Sequence, residues 1–195
     1  MSYLYLVRHP RTHVDPMRQP HEWDLSEQGR AQAKALSAAS FWKNVSSLYV
    51  SNQQKAIAAA RIIVAEHKIE VVPLVELAEV GRGPQVYTSA ADYNNILEQF
   101  FDHPDRSVSG WESSGVALHR FESAVQQILK QRSDGSVAIL SHGTILTLYT
   151  AMLDGEPPTL ARWRNIGFAT VATVDIDSMQ IVKTFVLAYD SVPIG

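Results

Sequence analysis

A chain of 195 residues with 46% hydrophobic content carries enough apolar material for one domain with a sizeable core, with room besides for a small lid. Charged residues make up 19%, and 17 Lys and Arg against 20 Asp and Glu leave a net charge of -3, the reverse of the basic excess by which general nucleic-acid or anionic-membrane binders hold their partners. There is no cysteine, which excludes disulfide scaffolds, thiolate zinc sites, iron–sulfur clusters and cysteine nucleophiles, and fits a reducing cytosol.

The first apolar run, Tyr3 to Val7, is too short to span a membrane and lacks the basic flank and small-residue cleavage site of a signal peptide, so a soluble, cytoplasmic chain is expected. Almost uninterrupted, it reads as a strand covered on both faces. Ser26 to Ala39 follows as a helix, with Ser26 as N-cap, Glu27 in the first turn and Ala and Leu beyond. A second strand runs from Ser47 to Val50, a second helix from Gln53 to His67, and a third strand from Ile69 to Val72, ended by Pro73. Between Gly81 and Trp111 the character changes. Gly81, Gly83 and Pro84 break structure, a short helix spans Ala90 to Phe101, and Tyr87, Tyr93, Phe100, Phe101 and Trp111 suggest a partly apolar, lid-like insertion with a small core of its own. A longer helix, Ser113 to Arg132, spaces Leu118, Phe121, Val125 and Ile128 by three and four. Then come a strand at Ser136 to Leu140, a helix at Gly143 to Leu153, and a closing hairpin of Thr170 to Ile176 and Gln180 to Leu187. Strands alternating with helices imply an α/β layered fold with a mainly parallel sheet.

In such sheets ligands sit beyond the carboxyl ends of the strands. There the first strand delivers Arg8 and His9, the second Ser51 and then Lys55, and the strand at 136–140 Ser141, His142 and Gly143. Two cations and two histidines at neighbouring strand ends make an anion pocket. The helix starting after His142 would add free backbone N–H groups and a positive dipole end. A phosphate monoester carries roughly -1.5 to -2 charges at neutral pH and needs several such donors. Arg8 suits a bidentate grip on its oxygens, and Lys55 supplies a point charge.

Leu6-Val7-Arg8-His9 and Leu140-Ser141-His142-Gly143 resemble the two histidine motifs of the histidine phosphatase superfamily, in its phosphoglycerate mutase-like branch. Four further stretches match in order: Asp24 to Ala33 the first helix after the phosphate loop, Ser51 to Ala60 the second basic motif, Glu76 to Gly81 the acidic motif, and Gly110-Trp111-Glu112-Ser113 the opening of the next helix. The resemblance implies a three-layer α/β/α fold with a mainly parallel, mixed central sheet, one domain over 1–195, and 81–111 as a lid-like insertion. It also implies a metal-independent phosphomonoesterase, without cofactor, acting on a small phosphorylated metabolite. His9 would attack phosphorus to give a phosphohistidine, and Arg8, Lys55 and His142 would hold the equatorial oxygens. Glu79 would protonate the leaving alcohol and then deprotonate the hydrolytic water. His9 must be neutral at the attacking nitrogen, with the other nitrogen donating to a fixed acceptor such as a backbone carbonyl.

The sequence departs from the family pattern at four places. Pro10 follows the nucleophile where Gly is usual, Arg11 stands where an acid is common, Asp15 falls where the mutases place an Asn on phosphate, and Lys55 replaces a second Arg. These departures keep open a catalytically weak relative that binds phosphorylated ligands or partners, and they argue against a phosphoglycerate-type mutase. Glu76 competes with Glu79 as proton donor, and Lys55 has an alternative as a solvated helix residue. His9 and His13 would pair on a metal only if they shared a helix, which Pro10 opposes. Segment 81–111 holds Arg82 and Arg106 against Asp92, Glu98, Asp102 and Asp105. An acidic lid would favour a singly phosphorylated substrate with a neutral or apolar body.

Overall fold

The computed structural model describes residues 1–83, 89–132 and 135–188. Pro84 and Tyr87, assigned above to the insertion, lie outside them. Six strands form one sheet: β1 Tyr3–Arg8, β2 Val45–Ser51, β3 Glu70–Leu74, β4 Ser136–Ser141, β5 Thr170–Asp175 and β6 Ile181–Leu187. Their order is β3-β2-β4-β1-β5-β6. The first four run parallel, whereas β5 pairs antiparallel with β1 and β6 antiparallel with β5. The sheet is therefore mixed, its parallel part supplied by crossover helices and its antiparallel part by the expected hairpin.

Side chains alternate across β1 and β4 and divide the core in two. Tyr5 and Val7, with Ala138 and Leu140, pack against Ala33 and Leu36 of α1 (Glu27–Ser37) and Ala56, Ala59 and Ile63 of α2 (Gln54–Ile63). Leu4 and Leu6, with Val137 and Ile139, face α3 (Ala90–Asp102), α4 (Ser114–Gln131) and α5 (Gly143–Asp154). Leu97, Phe100, Phe101 and Trp111 are buried in this second cluster, so the apolar residues of the 81–111 segment extend the main core and do not build a separate one. Ser26 caps α1 by accepting from Gly29 N at 3.0 Å, and Ser113 likewise caps α4. A Cβ on Gly29 would lie 1.9 Å from the Arg11 carbonyl oxygen, so only glycine lets α1 dock on the loop that follows β1.

Two expectations differ from what forms. β3 continues through Pro73 to Leu74. It is an outermost strand, and a missing N–H costs nothing on an unpaired edge. A sixth helix, α6 (Leu160–Asn165), was not anticipated; Thr159 caps it by accepting from Arg162 N at 3.1 Å. Among the described residues no helix is long and apolar enough to cross a membrane.

Candidate active site

The carboxyl ends of β1, β2 and β4 meet at a cavity of about 590 Å³ lined by Arg8, His9, Lys55, Glu79, Arg82 and His142 among others. His9 follows directly on β1, and its N–H donates to the Ser141 carbonyl at 2.9 Å, locking the nucleophile candidate to β4. Its ring Nδ1 lies 2.7 Å from the Pro10 carbonyl oxygen. A carbonyl only accepts, so the proton sits on Nδ1 and the lone pair on Nε2. The carbonyl of the unexpected proline thus supplies the fixed acceptor that the chemistry needs. Burial, reinforced by the Lys55 and Arg8 charges, holds the His9 pKa well below the ordinary histidine value, so the ring is uncharged at neutral pH.

His142 occupies the N-cap position of α5 without a capping side-chain bond, and its ring centroid is 4.9 Å from that of His9. Its Nε2 lies 2.7 Å from Ser51 Oγ, which also accepts from Gln53 N at 3.2 Å. The Ser51 hydroxyl keeps a proton to donate and a second lone pair, so this contact fits either tautomer; where Ser51 donates, the proton sits on Nδ1, a buried atom without a protein partner. Burial and the neighbouring His9, Lys55, Arg82 and Arg8 hold this ring neutral as well. Arg8 shares the sheet face of Leu6, two residues earlier, and points toward α5. A Cβ on Gly143 would come within 2.9 Å of its guanidinium carbon, so glycine there makes space for the cation. Arg8 also donates to the Ile166 carbonyl and lies 4.2 Å from the Phe168 ring centroid.

Lys55, in the first turn of α2, is only 5% exposed and donates to the Pro20 carbonyl at 2.6 Å. It is therefore no solvated helix residue. Burial lowers its pKa to about 7, with Glu79 opposing the shift and Arg82 adding to it. This folded value lies below the unfolded one, so the contribution of Lys55 to stability grows as pH rises from about 7 toward the ordinary lysine value. Its grip on an anion runs the opposite way, weakening as the ammonium loses its proton. The rise in melting temperature produced by inorganic phosphate is expected to shrink above pH 7. In Lys55→Arg, whose charge persists, that rise is expected to remain; thermal melts from pH 6 to 9 check both.

Glu79 lines the cavity, whereas Glu76 is exposed, which separates the two candidates by position. The Glu79 carboxylate accepts from Thr144 N and Ile145 N, each at 3.0 Å, and from Val80 N at 3.0 Å. The N–H groups expected to be open to phosphate at the start of α5 are thus taken by this side chain, because the acidic loop folds across the helix end. That loop is pinned from outside. Ser141 Oγ donates to the Leu77 carbonyl at 2.8 Å, and Arg120 donates to the Glu76 and Ala78 carbonyls at 2.5 and 3.1 Å. Arg120 in turn pairs with Glu112, whose N–H donates to the Gly81 carbonyl at 2.8 Å.

Asp15, which stands where the mutases place an Asn on phosphate, does not point inward at the anion. Its carboxylate accepts from Met17 N at 2.9 Å, pairs with Arg18 at 3.5 Å, and does not line the cavity. Of the described residues of 81–111, Gly81, Arg82, Gly83, Ala90, Tyr93 and Trp111 line the cavity, and none of the segment's four carboxylates does. An acidic lid over the substrate is therefore not what forms. Arg82, counted in the sequence only as a charge, stands 3.7 Å from Glu79. Trp163, Arg164 and Phe168, contributed by α6 and the turn after it, complete the wall. The signal that could have found them is Thr159 after Pro157-Pro158, an N-cap pattern.

A family model of the histidine phosphatase superfamily (branch 1) matches residues 4–186. Phosphoserine phosphatase 1 of Hydrogenobacter thermophilus is 24% identical over 162 residues, covering 78% of this chain and 77% of its own. Among solved structures, Bacillus stearothermophilus YhfR aligns with a TM-score of 0.74 at 20% identity, over 96% of this chain and 97% of that one. A mycobacterial glucosyl-3-phosphoglycerate phosphatase, solved with VO3, aligns with a TM-score of 0.74 at 22% identity, over 90% and 93%.

Proposed function

The chain belongs to the histidine phosphatase superfamily and is a phosphatase of that type, and from that premise we propose that it is a metal-independent phosphomonoesterase acting on a small phosphorylated metabolite through phospho-His9. The observation that carries this reading is the pair of uncharged imidazoles 4.9 Å apart, one with its lone pair fixed on Nε2, in a cavity whose cations are Arg8, Lys55 and Arg82. In the first step His9 Nε2 forms a bond to phosphorus as the bond to the ester oxygen breaks, and Glu79 gives that oxygen a proton. In the second, water attacks phosphorus, the P–N bond breaks, and Glu79 takes the proton back. Arg8, Lys55 and His142 Nδ1–H carry the equatorial oxygens, so charge is neutralised by side chains of the chain itself. Residues 1–195 act as one unit in this reading, with 81–111 closing one side of the cavity.

The test is hydrolysis of p-nitrophenyl phosphate in excess chelator, with an acid-labile, base-stable phosphoenzyme trapped by quenching in alkaline detergent. Undiminished turnover in chelator and a labelled histidine are expected; dependence on added metal, or a label on another residue type, sinks the reading. A binder with turnover near background is favoured by one observation, that Lys55 is already engaged by the Pro20 carbonyl. Phosphate-dependent thermal stabilisation without hydrolysis of any phosphomonoester would decide for it.

A further inference from the structure

Among the described residues no ion pair holds Arg8, and its Nε is buried without a hydrogen bond. A carbonyl and a ring hold it instead. Arg8 donates to the Ile166 carbonyl oxygen, and its guanidinium carbon stands 4.2 Å from the Phe168 ring centroid. The other guanidinium of the cavity, Arg82, is also set against rings, at 5.0 Å from the Tyr93 centroid and 4.9 Å from that of Trp111, but it has a carboxylate besides, Glu79 at 3.7 Å. A carboxylate fixes a guanidinium at the cost of neutralising it. An aromatic face attracts the cation through its quadrupole and leaves the charge and the in-plane N–H groups to an incoming anion.

The same ring packs beside the nucleophile candidate. The Phe168 and His9 centroids are 5.6 Å apart, with their planes inclined by 55°. Phe168 therefore adjoins the two consecutive residues that must meet one phosphorus, His9 with its electron pair and Arg8 with its positive charge. The turn that presents the ring is itself unusual. Ala169, fully buried, takes a φ of 56°, the left-handed region that residues other than glycine rarely adopt. Its N–H donates to the His9 carbonyl at 3.4 Å, tying the turn to the end of β1, and Thr170 Oγ1 closes the turn by donating to the Gly167 carbonyl at 2.7 Å. Backbone conformations of this kind persist where the surroundings over-determine them, and they cluster at functional sites.

The geometry points to Phe168 as a positioning residue for phosphoryl transfer, its ring holding the Arg8 guanidinium and the His9 imidazole in register where a carboxylate would compete with the phosphate. The inference rests on the reading of His9 as nucleophile and Arg8 as phosphate ligand.

Phe168→Leu keeps apolar bulk and removes the ring face, whereas Phe168→Tyr keeps the face; Phe168→Met replaces the leucine variant if that one does not fold. The dissociation constant of inorganic phosphate, read from melting temperature against phosphate concentration, is expected to rise about three- to thirtyfold in Phe168→Leu, the scale of a cation–π contact. The kcat for p-nitrophenyl phosphate is expected to fall about tenfold or more as His9 loses its alignment. Phe168→Tyr is expected to stay within about twofold of the parent in both, because its ring face is equivalent. In an Arg8→Gln background, where no cation faces the ring, Phe168→Leu is expected to leave the phosphate constant unchanged, a coupling that a merely structural role would not produce. An unchanged phosphate constant in folded Phe168→Leu, an equal weakening in Phe168→Tyr, or an undiminished effect in the Arg8→Gln background overturns the role of Phe168 while the phosphatase reading stands. If the parent turns over no phosphomonoester, the phosphatase reading fails, and the phosphate constants of the same proteins still decide whether the ring holds Arg8.

Discussion

His9→Ala is expected to lower the hydrolysis of p-nitrophenyl phosphate by at least about 10⁴-fold, the scale on which loss of a covalent nucleophile is felt. The other buried histidine of the cavity, His142, has its Nε2 engaged by Ser51 Oγ at 2.7 Å. The alanine variant keeps Arg8, Lys55 and His142, so inorganic phosphate is expected to raise its melting temperature as it does that of the parent. The pairing of retained ligand stabilisation with lost turnover distinguishes a missing nucleophile from a collapsed pocket. Initial rates and thermal melts on the same preparation supply both, and a residual rate within tenfold of the parent would place the nucleophile elsewhere.

Glu79→Gln is expected to cost about 10²–10⁴-fold in turnover of alkyl phosphates, the usual range for a positioned proton donor. The loss should be smallest for p-nitrophenyl phosphate, whose leaving group departs without a proton. There the phosphoenzyme accumulates, because activation of water in the second step is still impaired. The same substitution touches the fold. Glu79 bridges two N–H groups at the start of α5, and an amide NH₂ facing one of those donors leaves both unpaired, costing on the order of 1–3 kcal/mol. A drop in melting temperature should therefore accompany the kinetic change. A uniform loss across leaving groups would assign Glu79 a purely structural role.

The residues brought together at the cavity mouth show how far strand-end reasoning reaches. Arg8 and His9 are far from Lys55, Glu79 and His142 in sequence, yet each of the five ends or follows a strand or opens the next helix. A parallel sheet carries all such positions to one edge. What local pattern cannot show is which donors remain open once the loops fold. The N–H groups of Thr144 and Ile145 look available from the α5 sequence alone, and the loop carrying Glu79 covers them. Arg82 reads as one charge in an acidic segment until Tyr93 and Trp111 enclose it. Trp163 and Phe168 belong to a six-residue helix and the turn beyond it, too short for any period to register. Pro73 looked like a terminator only because the strand bearing it was not known to be outermost.

The place of β1 in the order of strands has a mechanical meaning. It is flanked by β4 on one side and β5 on the other, so the backbone that presents the nucleophile is hydrogen-bonded along both margins. Fraying begins where strands lack a neighbour, at the rims formed by β3 and β6, and must travel inward past an intact partner before it reaches His9. Damage at either rim is thus felt first in persistence of the folded chain and only later in the alignment of its reacting atoms.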